Sequence, residues 1–189
     1  MMKDDKKTIV IGVTGGIAVY KSLDVISKLK KKDFNIKVIM TKAASEFVTP
    51  LSFQTLSVDM FCEPEAWDIQ HISLAKEADL MAIIPATANV IGKVSNGIAD
   101  DLLTTTIMAT KAPVVFAPAM NTNMYNNPIV QENINKLRKL GYEFIEPSSG
   151  KLACGDIGTG KLEDTDSIVQ VIESMLYDIK DLKGKKVVV

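Results

Sequence analysis

Four segments of the 189-residue chain carry side chains that could do chemistry: GVTGGIAVYK (Gly12 to Lys21), PAMNTNMY (Pro118 to Tyr125), a glycine-rich stretch around Cys154, and AWDIQHISLAKEAD around the sole histidine, His71. In the first, Gly15 and Gly16 stand between an apolar run and an amphipathic one. At the head of a helix, free backbone N–H groups and the positive end of the dipole favour an anion such as phosphate. Paired glycines also simply tighten a strand-to-helix turn. A dinucleotide fingerprint would read GxGxxG, but Thr14 takes the place of the second glycine. The following strand closes in Met40, Thr41 and Lys42 rather than in an acid for a ribose. A mononucleotide is therefore favoured over a dinucleotide.

GDIGTGKL, Gly155 to Leu162, matches the GxxxxGK of a triphosphate loop. Leu162 replaces the hydroxyl that would hold Mg²⁺, and a long loop separates the match from the nearest expected strand, so it reads as a coincidence. In PAMNTNMY, Asn121 and Asn123 either make Asx-turns or present an amide to a carboxylate between the apolar walls of Met120 and Met124. Cys154 sits among Gly150, Gly155, Gly158 and Gly160, where a mobile lid carrying a thiol fits better than a buried inert cysteine. His71 stands at or just before a helix start and has either a structural or a chemical role. With only Cys62 and Cys154, about ninety residues apart, and one histidine, neither a disulfide framework nor a zinc site has support, and no metal is expected.

The elements that must position these residues alternate along the chain. Thr8 to Val13, Ile36 to Met40, Leu80 to Ile84, Pro113 to Ala117 and Tyr142 to Ile145 read as buried strands, with a shorter one near Met60 and Phe61. Helical patterns span Ile17 to Lys31, Ala44 to Leu56, Ile72 to Ala78, Ala88 to Ala109, Pro128 to Leu140 and Asp164 to Ile179. This βαβα order predicts an α/β fold, a mostly parallel sheet with helices on both faces. Ligands of such sheets bind beyond the carboxyl ends of the strands, where the segments above fall.

Composition narrows the classes. The length suits one domain, the formal net charge of −1 offers no footprint for nucleic acid, and no apolar run is long enough to span a bilayer. Without an apolar region behind MMKDDKK to make a secretion signal, the expected location is the cytoplasm. The tail LKGKKVVV, by contrast, looks like the first strand of a further unit.

Together, TGGIAVYK, the lone His71, PATANVIGKVSNGIADDLL, PAMNTNMY and GKLACGDIGTGK occur in an order that resembles the homo-oligomeric flavin-containing cysteine decarboxylases, and within them the phosphopantothenoylcysteine decarboxylase domains of bacterial coenzyme A biosynthesis. The resemblance covers essentially the whole chain and implies a three-layer αβα Rossmann-like flavoprotein that binds FMN near the subunit contacts of a homotrimer, which can assemble into a dodecamer. It implies a decarboxylase domain over residues 1–181 and the start of a phosphopantothenate-cysteine ligase domain, then missing, over 182–189. By the same likeness Gly15, Gly16 and Ile17 form the first FMN turn, Thr41 the second, and Thr87, Ala88 and Asn89 the third, with Ala119 near the flavin. His71 is the implied base, Asn121 grips the substrate carboxylate, Met124 lines the pocket and Cys154 donates a proton. Tyr125 departs from the tryptophan often found after that methionine, which leaves an aromatic wall in place.

The implied reaction is FMN-dependent oxidative decarboxylation of 4'-phosphopantothenoylcysteine to 4'-phosphopantetheine. Thiol oxidation would create a C=S group beta to the carboxylate, CO₂ would leave, and re-reduction would follow. Alternatives on the same fold are a flavin prenyltransferase, a peptidyl-cysteine decarboxylase, a non-catalytic flavin-binding regulatory subunit, or an electron-transfer flavodoxin.

Overall fold

The computed structural model describes residues 6–56, 58–62, 70–151, 155 and 157–177. Six strands form one parallel sheet: β1 (Thr8–Val13), β2 (Asn35–Met40), β3 (Asp59–Phe61), β4 (Leu80–Ala86), β5 (Val114–Pro118) and β6 (Glu143–Phe144). Their order is β3-β2-β1-β4-β5-β6. Successive side chains of a strand point to opposite faces. Ile9, Ile11 and Val13 accordingly enter one core cluster with Leu80, Ala82 and Ile84, while Val10, Met81 and Ile83 enter another. Burial on both faces is why these strands read as unbroken apolar runs.

Nine helices among the described residues cover the faces: α1 (Tyr20–Lys30), α2 (Lys42–Ser45), α3 (Pro50–Gln54), α4 (Gln70–Glu77), α5 (Ala88–Ser95), α6 (Leu102–Ala109), α7 (Thr122–Tyr125), α8 (Pro128–Lys139) and α9 (Thr165–Leu176). From α1 and α9, Val25, Ile26, Leu29, Ile168 and Ile172 fill the first cluster. From α5, α6 and α8, Ile91, Leu103, Ile107, Ile134 and Leu137 fill the second. This is the three-layer αβα arrangement expected from the alternation. Lys28 ties α1 to α9, its ammonium lying 2.9 Å from Asp24 and 2.8 Å from Asp166. The hydrogen bond from Thr165, then Lys28, holds the Asp24 carboxyl below its ordinary range.

Several expected elements are shorter than their apolar patterns. The span from Ala88 to Ala109 is two helices, because Asn96 and Gly97 (φ 70°) end the first, and Asp101 with Thr104 closes a capping box on the second. The span from Ala44 to Leu56 is likewise broken, with Pro50 opening α3. Ile17–Val19 form a single 3₁₀ turn before α1. The tail 178–189, with the expected domain boundary, lies outside the described residues.

The glycine-rich stretch differs most from expectation. Ser148–Lys151 (β7) and Ile157–Lys161 (β8) pair antiparallel as a separate two-stranded sheet. Gly160 and Lys161 of the GxxxxGK match therefore end a strand and do not open a helix, which removes the N–H cradle such a match requires. The chain departs from β1 toward β2 and β3, then returns to place β4 on β1's other side. Connections diverge there, leaving a crevice beyond the carboxyl ends of β1 and β4.

Candidate active site

A cavity of 660 Å³ occupies that crevice, within the range of about 300–1,000 Å³ usual for small-molecule sites. The turn after β1 contributes Gly15, Gly16 and Ile17; the turn after β4 contributes Thr87 and Ala88; the segment after β5 contributes Ala119, Met120, Asn121 and Met124; Gly160 of β8 closes the last side. Sequence elements more than a hundred residues apart thus converge on one volume.

Thr14 explains the failed dinucleotide fingerprint. Its buried hydroxyl donates to the Pro85 carbonyl at 2.7 Å and accepts from the Thr87 amide at 3.2 Å, stitching the β1 turn to the β4 turn. Ser22 makes a similar tie from α1 to β4, donating to the Ile84 carbonyl at 2.6 Å. Both are buried polar groups whose hydrogen bonds offset the cost of desolvation. In the sequence Thr14 stands out only as a missing glycine; a hydroxyl directly after an otherwise apolar strand is the signal of this role.

Thr41 caps α2, accepting from the Ala44 amide at 3.3 Å, while its own amide donates to Val13 at 3.1 Å. It adjoins the β1 turn without lining the cavity. The contact between those two turns is close: a Cβ built on Gly15 would lie 2.6 Å from the carbonyl carbon and oxygen of Ala43. On Gly16 it would meet only Thr87 Cγ2, at 3.8 Å. Thr87 caps α5 through Val90, and Asn89 lies exposed on that helix, outside the cavity lining.

Asn121 lines the cavity and caps α7, its Oδ1 accepting from the Asn123 amide at 2.8 Å. The Asx-turn is therefore realised, and the donor end of that side chain is its NH₂, the group that pairs with a carboxylate. Met124 lies beside it, 49% exposed. Tyr125 corrects an expectation, since it is no wall of this cavity. It is buried in the second core cluster, its hydroxyl donating to Glu146 at 2.8 Å. Burial, reinforced by Glu146, pushes the phenol up to about 12.

The hairpin is fastened to this segment. The Met120 amide donates to the Gly160 carbonyl at 2.9 Å. A Cβ on Gly160 would lie 2.4 Å from the Met120 carbonyl oxygen, and one on Gly158 would lie 2.6 Å from Thr122 Oγ1. These two glycines serve close packing, not the hinges expected of a lid. Cys154 lies outside the described residues. His71 is half-buried as the second residue of α4 and does not line the cavity. Among the described residues no group of His, Cys, Asp and Glu could hold a metal ion, and no helix is long and apolar enough to cross a membrane.

The family model described as Flavoprotein matches residues 1–177. The chain belongs to the flavoprotein family. Among flavoproteins it is 50% identical over 192 residues to the coenzyme A biosynthesis bifunctional protein CoaBC of Bacillus subtilis, an alignment covering 98% of this chain and 47% of that protein. It is 45% identical over 177 residues to the "Probable phosphopantothenoylcysteine decarboxylase" of Streptococcus mutans, covering 90% of this chain and 99% of that one. The chain spans about half the length of the bifunctional relatives it matches. Its fold superposes with a TM-score of 0.80 on a PPC decarboxylase variant complexed with pantothenoylaminoethenethiol, at 29% identity, covering 89% of this chain and 97% of that one. The FMN binding protein AtHal3 matches with a TM-score of 0.80 at 30% identity, over 89% and 95% of the two chains.

Proposed function

We propose that this flavoprotein is an FMN-dependent decarboxylase that converts 4'-phosphopantothenoylcysteine to 4'-phosphopantetheine in coenzyme A biosynthesis. The observation that carries the reading is the convergence of the glycine turn, Thr87 and the Asn121–Met124 segment on one cavity at the sheet's switch point. The relatives named for the same chemistry support it.

The residues present fit a flavin mononucleotide. The Gly15 turn is pressed against Ala43 on one side, while a Cβ on Gly16 would meet nothing nearer than 3.8 Å, which leaves backbone close to the cavity for a phosphate. Ile17, Ala88, Ala119, Met120 and Met124 offer apolar walls for a ring system. In this reading Gly15, Gly16, Ile17, Thr87, Ala88 and Ala119 hold the cofactor directly; Thr41 and Asn89 join them on the resemblance alone. Bound FMN would supply the two-electron oxidation of the substrate's thiol-bearing carbon and the later return of those electrons.

The chain's own residues bind, orient and move protons. Asn121, fixed as an N-cap by the Asn123 amide, orients the carboxylate so that the reacting carbon faces the cofactor. Met124 excludes water from one side. His71 takes protons during oxidation and Cys154 returns one to the product. Because His71 does not line the cavity of its own chain, it would serve the cavity of a neighbouring copy in a homotrimer or dodecamer. The exposed Ile17 (64%), Tyr20 (58%) and Met124 around the cavity mouth are apolar surface that such a neighbour would cover. The tail 182–189 would open the ligase domain of a longer chain, and the site of action would be the cytoplasm.

Anaerobic incubation of the FMN-loaded protein with 4'-phosphopantothenoylcysteine tests the reading. Flavin bleaching with CO₂ release and a product of the mass of 4'-phosphopantetheine is expected. Turnover of a peptide C-terminal cysteine in preference to this thiol would overturn it in favour of the peptidyl-cysteine alternative.

A further inference from the structure

The GxxxxGK match supplies no phosphate cradle, yet its second glycine is the irregular point of the hairpin. In the β7–β8 ladder Ser148 pairs with Lys161 and Ser149 with Thr159, so Gly160 is an extra residue of β8 with no partner across it. That is a β-bulge, a local break in pairing that recurs beside active sites. Gly160 is buried, and its φ of 136° is one that side chains rarely adopt. Its carbonyl accepts from the Met120 amide at 2.9 Å.

Asn121 follows directly. Two successive amides hold the chain entering it: Ala119 donates to the Ala86 carbonyl at the end of β4, at 3.0 Å, and Met120 donates to the bulge. The Oδ1 of Asn121 is taken up by the Asn123 amide, so the aim of its NH₂ follows from where its backbone lies. The main sheet fixes that backbone from one side and Gly160 from the other. The approach is tight, because a Cβ on Gly160 would lie 2.4 Å from the Met120 carbonyl oxygen and 3.5 Å from the Asn121 carbonyl carbon. Ordinary contact begins near about 3.5 Å, so a methyl there would push Met120 and β8 apart by about 1 Å. Hydrogen bonds tolerate only a few tenths of that, so an amide displaced this far no longer reaches the same acceptor. Gly150 of the same hairpin is the contrast: a Cβ on it would meet nothing nearer than Lys161 Cδ, at 3.9 Å.

We propose that the Gly160 bulge is a positioning device for Asn121, holding the Met120 amide so that the Asn121 NH₂ is aimed at the carboxylate of the bound thiol acid. What the GxxxxGK match shares with a triphosphate loop is then a glycine that lets backbone approach closely, here toward its own chain. The inference rests on the decarboxylase reading for the role of Asn121.

FMN-loaded protein is titrated calorimetrically with 4'-phosphopantothenoylalanine, a thiol-free acid that cannot be oxidised to a C=S group, and with the N-ethylamide of 4'-phosphopantothenate, which lacks the carboxylate. The ratio of the two affinities reads the carboxylate contact alone. A charge-assisted hydrogen bond predicts that the acid binds about tenfold tighter to the parent. Asn121→Ala should bring the ratio close to one. Gly160→Ala should shrink it by about threefold or more while the ethylamide binds as before, and Gly150→Ala should keep it. In the Asn121→Ala background, Gly160→Ala should change the ratio no further, because it acts through that side chain. Circular dichroism and bound-flavin absorbance show whether each variant folds. Replacing Met120 by its α-hydroxy acid, which puts an ester in place of the amide, removes the donor without adding bulk and should shrink the ratio likewise. An unchanged ratio in folded Gly160→Ala or in the ester protein overturns the proposal, as does an equal loss in Gly150→Ala or equal binding of the two ligands by the parent. CO₂ release from the thiol acid without a carboxylate preference would leave the decarboxylase reading intact and remove this one; a preference lost in Gly160→Ala, without CO₂ release by the parent, would do the reverse.

Discussion

Gly15→Ala and Gly16→Ala differ by one position in the chain and should part company in stability. A methyl on Gly15 would sit 2.6 Å from the carbonyl carbon and oxygen of Ala43 and 2.7 Å from its Cβ. Carbon atoms prefer about 3.5–4.0 Å, so the overlap is roughly 1 Å against backbone that cannot rotate away. Overpacking of that kind costs about 1–3 kcal/mol. Gly15 has no left-handed φ, so the cost is steric alone. A methyl on Gly16 would make an ordinary 3.8 Å contact with Thr87 on an extended backbone (φ −174°). There the loss of unfolded-chain entropy should leave stability unchanged or raised by up to about 1 kcal/mol. With a urea m-value of about 2 kcal/mol/M, a cost of about 2 kcal/mol moves the midpoint of flavin-free Gly15→Ala down by about 1 M. Urea unfolding of flavin-free protein, followed by circular dichroism, measures this. A Gly15→Ala midpoint within about 0.2 M of the parent, or a Gly16→Ala midpoint lower than that of Gly15→Ala, would refute the steric argument.

The remaining expectations concern proton transfer, assembly and pH. Cys154→Ser should still release CO₂ but accumulate an oxidised thiol product, visible by mass; full turnover to 4'-phosphopantetheine would remove the proton-donor role. His71→Asn and Asn121→Asp should each be inactive alone, yet their co-assembled oligomers should regain part of the activity if His71 acts on a neighbour's cavity; failure of co-purified mixed oligomers to do so would place both groups in one chain. Burial alone would raise the Asp101 carboxyl, but the Thr104 amide and hydroxyl and then Lys93 outweigh it and hold the group below its ordinary 3.8. A depressed folded pKa contributes stability that is present above the ordinary value and lost as pH falls through the folded one. The stability gap between the parent and Asp101→Asn should therefore be full at pH 7 and shrink below pH 3.8; a gap independent of pH would contradict it.

Much of the fold was legible because buried parallel strands leave a signal that needs no partner to read. TIVIGV, IKVIM, LMAII and PVVFA are apolar on both faces, and each is a sheet strand here. Helix ends were less legible, since the break at Asn96–Gly97 lies inside a pattern that stays apolar on both sides. Of the site, Gly15, Gly16, Asn121 and Met124 stand out from their own segments, and Ile17, Thr87, Ala88 and Ala119 only through the family resemblance; all eight line one cavity.

By itself the sequence determined the layers, the strand identities and the segments that follow each strand, because those depend on local periodicity and burial. Only the tertiary structure decided that Thr14 is a crosslink, that Tyr125 turns away from the cavity toward Glu146, that β8 is packed on Met120 through two glycines, and that His71 stands outside its own chain's cavity. Each of those depends on which distant backbone approaches within hydrogen-bond or van der Waals reach. Periodicity along a chain carries no record of that distance.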